Sequence, residues 1–152
     1  MTQVITIRRR SARILVTNES KDVLLLKFEY GDQNNHRSYW ATVGGGLEAG
    51  ETPEQAARRE LLEEVGLAAD IMDYIGAQAA QFTDPNGNRI EAEEHFFHTN
   101  TASRQISLAG LSGDEAAMIK GHKWWSVEEL KATNETYFPS NLPELLQKTL
   151  SP

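Results

Sequence analysis

Between Thr52 and Gly66 the sequence spells a helix whose two ends are both legible. Thr52 can cap the first turn, Pro53 suits the first helical position, and Gln55 stands three residues after Thr52, the spacing of a capping box. Gly66 is a natural stop. Between them Ala57, Leu61 and Val65 recur every four residues, which places them on one stripe that can face a core. Glu60, Glu63 and Glu64 fall beside that stripe. At about 100° per residue their spacing gathers three carboxylates into one arc of the helix.

A solvated acidic face is the ordinary reading of such a run, and it meets two objections. Like charges three and four positions apart each destabilise a helix by a few tenths of a kcal/mol. These also sit in the last turns, where the macrodipole disfavours anions. A cation would relieve both costs, and clustered carboxylate oxygens are ligands for hard divalent ions such as Mg²⁺, which in turn bind phosphate oxygens. Gly44-Gly45-Gly46 reads as a loop with no side chains in the way, where backbone groups can approach a metal or a phosphate. The residues thus point to a metal and phosphate site, with the solvated face as the rival.

Gly45, Glu51, Arg59-Glu60-Leu61, Glu63-Glu64, Gly66 and Leu67 occupy every fixed position of the signature that marks the Nudix hydrolase family, which this chain resembles. At residue frequencies near 7%, seven identities and two aliphatic positions coincide by chance on the order of once in 10⁹ starting points. The motif covers residues 45–67; the flanks also look like the family, with strands before it, a hairpin after it and a Trp-containing strand leading to a short helix. The resemblance implies an α/β fold, an α/β/α sandwich around a mixed sheet. It also implies Mg²⁺-dependent hydrolysis, with Mn²⁺ as the alternative ion, of a nucleoside diphosphate linked to another group. A nucleotide-sensing domain without chemistry on the same fold is the rival from another class.

Length and composition agree. With 152 residues, 39% hydrophobic and 24% charged, the chain is expected to form one globular domain over residues 1–152. No apolar run approaches a membrane span, so no membrane partner is expected. The N-terminus carries its arginines after its apolar residues, unlike a secretory signal. Cysteine is absent, which excludes disulfides and thiol catalysis and fits a cytoplasmic location. A net charge of −7 opposes binding to a nucleic-acid backbone but not to a small phosphorylated substrate, because a bound metal reverses the local sign. The expected partner is a small nucleotide, and a homodimer is left open.

Along the chain, Ile5 to Thr17 reads as one strand or two and carries the one basic patch, Arg8, Arg9, Arg10 and Arg13. On a strand Arg8 and Arg10 share a face and Arg9 takes the other, so the patch is not a single phosphate clamp; a solvated face is the default. Val23 to Leu26 reads as a buried central strand, Gly31 to His36 as a polar loop and Tyr39 to Val43 as a short strand. Ile71 to Thr83 and Arg89 to Thr99 form a hairpin across Asp84-Pro85-Asn86-Gly87-Asn88. His95 and His98 take opposite faces of their strand and cannot chelate one ion. Leu111 to Ile119 reads as a loop, Lys123-Trp124-Trp125 as a strand with one tryptophan in the core, Ser126 with Glu129 as a second capping box, and Leu142, Leu145, Leu146 and Leu150 as a closing helix.

The resemblance assigns roles to particular residues. Glu60, Glu63 and Glu64 hold the metal, with the Gly44 carbonyl as a further ligand, while Gly45 and Gly46 shape the loop. Arg59 pairs with Glu51 to fasten loop to helix, a task suited to a fork-shaped guanidinium. Family members often add one carboxylate from the strand after the hairpin, here Glu94 or Glu93, although edge-strand charge competes as an explanation. The base that takes the proton of water is Glu64 or Glu60, or Glu115 from the later loop. Nucleoside triphosphates, nucleotide sugars and dinucleoside polyphosphates all remain as substrates.

Overall fold

Alternation along the first strand decides the architecture. β1, Thr6–Thr17, sends Ala12, Ile14 and Val16 into one core and Leu15 into another, so both of its faces are covered. The computed structural model describes residues 5–151 apart from Ile71, Pro85, Ser103 and Arg104, with the backbone alone of Asp114 and Glu115. The expected strand start at Ile71 and the turn residue Pro85 therefore lie outside the described residues.

β2 is Val23–Tyr30, β3 Arg37–Gly46, β4 Asp73–Thr83, β5 Arg89–Asn100, β6 Ile119–Trp125 and β7 Tyr137–Phe138. They form one mixed sheet of seven strands. β1 runs parallel to β5 along its whole length and antiparallel to the end of β3, from Ser11 opposite Gly46 to Ile14 opposite Val43. β2 lies between β3 and β6, both antiparallel, and Val23 to Leu26 are fully buried, as an unbroken apolar run in a central strand requires. Each such leucine stabilises the fold by about 1.5–3 kcal/mol. β4 and β5 form the expected hairpin.

Helix α1, Pro53–Val65, lays Ala57, Leu61 and Val65 against Ile14, Val16, Val43 and Phe97 on one side of the sheet. α2, Gly113–Met118, brings Met118 to the same core. Leu130 of α3, Val127–Ala132, and Leu142 and Leu146 of α4, Leu142–Leu150, close the other side over Leu15, Phe96 and Trp125. The result is the expected sandwich. Trp125 is the core tryptophan, and Ser126 with Glu129 forms a complete capping box.

Two expectations need correction, and one strand was not expected. The three glycines are not a loop: they finish β3, which runs on from Val43 because β1 pairs with it as far as Gly46. The segment around Glu115 is not a loop but contains α2. β7 went unrecognised, since two residues carry no periodic signal.

Candidate active site

The geometry of α1 follows its sequence closely. Thr52 Oγ1 accepts from the Gln55 N–H at 3.2 Å and Gln55 Oε1 from the Thr52 N–H at 2.9 Å, while Gly66 closes the helix at φ +72°. The caps fix the ends of the helix, and the packed stripe of Ala57, Leu61 and Val65 sets its rotation on the sheet. The carboxylate arc then straddles the edge of the packed stripe: Glu64 is 1% exposed, Glu60 is 7% exposed and the Glu63 side chain is 52% exposed. The solvated-face reading therefore fits Glu63 alone.

The buried carboxylates meet the end of β3. The Gly44 N–H donates to Glu64 Oε1 at 2.6 Å. A Cβ at Gly45 would lie 2.7 Å from Glu60 Oε1, so the missing side chain makes the cradle in which that carboxylate rests. Arg59 binds the other elements together. Its Nε and Nη2 donate to the two oxygens of Glu51 at 2.7 and 2.9 Å, Nη1 to Glu60 Oε1 at 2.9 Å and Glu63 Oε2 at 3.2 Å, and Nη2 to the Gly46 carbonyl at 3.1 Å. The pairing of Arg59 with Glu51 is thus present, and as a fork. These bonds hold the Glu51 carboxyl below its ordinary value and push the Arg59 guanidinium up.

Glu94 and Gly44 meet a second guanidinium. Arg13 Nε donates to Glu94 Oε2 at 2.9 Å, and Arg13 Nη1 donates to the Gly44 carbonyl at 3.2 Å. Ser11 Oγ reaches the same Glu94 oxygen at 3.5 Å. Glu93, the other carboxylate considered on β5, is exposed, with Oε1 at 3.0 Å from His95 Nε2. Arg13 is the residue that sequence reasoning missed. The available signal was a lone arginine inside the apolar run Ala12 to Val16, a position that demands a partner.

Arg8 pairs with Glu91 at 3.3 Å, and Arg9 lies over the Phe82 ring at 5.2 Å on the opposite face. Arg9 and Arg10 nevertheless line one open cavity of about 420 Å³ with residues 46–51, because the chain leaving β3 turns beside β1. Glu115 lies on α2, and its side chain is outside the described residues.

Three carboxylates along one arc, two of them buried against a side-chain-free strand end, are a donor set of the chemistry that hard divalent ions take. In this arrangement they turn toward Arg59 and the Gly44 N–H. Among the described residues no three acidic, histidine or cysteine side chains are placed, as they stand, to hold one metal ion.

The model of the NUDIX domain matches residues 7–147. The chain belongs to the Nudix hydrolase family. It is 34% identical over 118 residues to a candidate 8-oxo-dGTP diphosphatase of Bacillus subtilis (strain 168), covering 77% of this chain and 66% of that protein. To an ADP-ribose pyrophosphatase of Methanocaldococcus jannaschii it is 32% identical over 128 residues, covering 72% of this chain and 70% of that one. The chain thus spans about two thirds of the length of these Nudix relatives. Among solved structures, the NUDIX domain of Shewanella oneidensis NrtR complexed with ADP ribose superposes with a TM-score of 0.69 at 15% identity, over 95% of this chain and 90% of that one. At that identity the likeness shows the Nudix fold.

Proposed function

We propose that this chain hydrolyses the diphosphate linkage of a nucleoside diphosphate joined to another group, using Mg²⁺ or, as the alternative, Mn²⁺. The observation that carries the reading is the burial of Glu60 and Glu64 against Gly44 and Gly45. Two carboxylates kept near the negative end of a helix and out of water cost stability, and binding a nucleotide without reaction would not need them.

Glu60, Glu63 and Glu64 would hold the ion. Gly44 and Glu94 fit that role less well, since Arg13 already engages the carbonyl and the carboxylate. When bound, a divalent ion neutralises phosphate oxygens and lowers the pKa of a bound water. Arg59 orients Glu60, and the Gly44 N–H orients Glu64 to accept the proton of the attacking water. Glu60, or Glu115 from α2, is the alternative base. Arg9 and Arg10 offer cationic side chains to substrate phosphates in the adjoining cavity.

Nucleoside triphosphates and ADP-sugars are the substrate classes to test first, because the relatives are named for an oxidised triphosphate and for ADP-ribose. No helix among the described residues is long and apolar enough to cross a membrane. The experiment is a panel of nucleotides of both classes assayed for phosphate or nucleoside monophosphate release. Turnover with Mg²⁺ or Mn²⁺ that stops in EDTA is expected. Tight nucleotide binding without turnover across the panel would return the sensing-domain reading.

A further inference from the structure

The glycine end of β3 is gripped from two sides. Arg59 donates to the Gly46 carbonyl at 3.1 Å from α1, and Arg13 donates to the Gly44 carbonyl at 3.2 Å from β1. Arg13 is itself fixed by Glu94 at 2.9 Å, and both side chains are largely buried, 16% and 11% exposed.

Gly44 is the residue that makes this grip matter. It stands at φ +142°, and a Cβ there would lie 2.0 Å from the Ala12 carbonyl oxygen, so only glycine fits. Its N–H belongs to one peptide plane and its carbonyl to the next, and the two swing about a single Cα. The N–H holds Glu64 Oε1 at 2.6 Å; the carbonyl is held by Arg13. The ladder with β1 holds Val43, Gly45 and Gly46 around it, and the Arg13 bond adds a direct hold on the Gly44 carbonyl plane, next to the plane that carries the N–H.

We propose that Arg13 and Glu94 are positioning residues that fix Gly44 and, through its N–H, the carboxylate of Glu64, and that Glu94 is not an ion ligand. This rests on the hydrolase reading above. A buried arginine and glutamate contribute little net stability compared with an apolar pair, so their use here calls for a geometric reason. The reason is the fork: Arg13 spends Nε on Glu94 and Nη1 on Gly44 at once, which a lysine ammonium on a flexible stem does not reproduce.

The test compares Arg13→Lys and Glu94→Gln with the parent in three readouts: Mn²⁺ affinity of the protein alone, kcat and KM on the best nucleotide, and melting temperature. Removing a group that orients a metal-site side chain costs about 10-fold to 100-fold. Arg13→Lys is therefore expected to weaken Mn²⁺ binding and lower kcat by roughly 10-fold or more while KM stays within about twofold. In Glu94→Gln the amide oxygen still accepts from Arg13 Nε, and Mn²⁺ affinity should stay within about threefold of the parent. Parent-like kcat and Mn²⁺ affinity in Arg13→Lys overturn the proposal. So does a larger loss of Mn²⁺ affinity in Glu94→Gln than in Arg13→Lys, which would make Glu94 a ligand. Should Arg13→Lys melt far below the parent, Glu94→Gln decides alone: affinity within about threefold supports positioning, and a loss of about tenfold or more overturns it. A parent that binds Mn²⁺ but turns over no nucleotide removes the hydrolase reading, and the Mn²⁺ readout still judges this one.

Discussion

Arg59 and Arg13 do the same work in two differently built regions. Each is partly buried, and each spans a glutamate and a glycine carbonyl at the end of β3. Arg59 finds its partners close by in sequence, Glu51 eight residues away and Gly46 thirteen. Arg13 finds Gly44 across 31 residues and Glu94 across 81. A loop and a capped helix bring the first set together almost by themselves. The second set exists only because the sheet pairs Arg13 with Gly44 and Ser11 with Glu94. The local clamp carries more bonds, to three carboxylates within 3.2 Å against one, and the distant clamp carries fewer but touches the residue whose N–H orients Glu64.

The largest expected effect lies at Glu64, which the Gly44 N–H holds beside the distant clamp. Glu64→Gln keeps an oxygen that can accept from the Gly44 N–H, so the fold should remain, yet it removes a charge from the arc. Its kcat should fall by at least about 10²-fold, comparable with losing a strong electrostatic donor. A variant with near-parent kcat would show that the contact of Glu64 with Gly44 serves packing only.

Next come the clamps themselves, read by melting temperature without metal. Arg59→Ala leaves Glu51 and Glu60 without their guanidinium, and stranding a buried charge costs about 3–5 kcal/mol. At roughly 2–4 °C per kcal/mol for a chain of this size, the melting point should drop by about 10 °C. Arg13→Ala strands a single carboxylate and should cost less. The reverse order would mean that the sheet pairing, not the loop and helix unit, is the main fastening of the site.

The contrast also explains what was legible. The capping box at Thr52, the stop at Gly66 and the Arg59–Glu51 pair were readable because their partners lie within a few turns of chain. Alternation along β1 and the unbroken run Val23 to Leu26 marked the two-sided sheet. The pairing of β1 with both β5 and β3 was not readable, since register across 83 residues is set by packing of whole faces and by no short motif. Hence the sequence offers Glu94 as a metal ligand or an edge-strand charge, Arg13 as part of a basic patch and the glycines as a loop. Arg9 and Arg10 were set on opposite faces correctly, but a cavity at a strand edge can be reached from both.

Acid separates the two regions further. His98, on β5 beside Thr17 Oγ1 at 2.8 Å, has its pKa lowered by burial, with Asp73 partly opposing. The unfolded chain then binds a proton before the folded one, so stability is lost as pH falls below the ordinary value of 6.5 toward the folded value. Glu51 is depressed by its bond to Arg59, so its contribution is complete above the ordinary value of 4.5 and is lost only as pH falls through its lower folded value. Melting points taken from about pH 7.5 to 5.5 should therefore decline in the parent and flatten in His98→Gln. An unchanged decline in that variant would place the sensitivity on another group.

The smallest effect tests the two ends of the carboxylate arc against each other. Glu63 is the exposed end: its Oε2 lies 3.2 Å from Arg59 Nη1 in an i, i+4 pair worth about 0.3–0.5 kcal/mol, and Arg59 is shared with better-placed partners. Against that small gain stand its repulsion from Glu60 and its place in a last turn that contains no basic residue, each costing a few tenths of a kcal/mol. The terms nearly cancel, so Glu63→Gln in EDTA should melt within a degree or two of the parent, about 0.5 kcal/mol either way. Millimolar Mg²⁺ should then raise the parent's melting point by mass action and the variant's by less, because the variant binds the ion more weakly. A fall of several degrees in EDTA would show that Arg59 depends on Glu63 structurally. Glu63 would then belong with Glu51 in the clamp, and the ion would have to be held by the buried end of the arc alone.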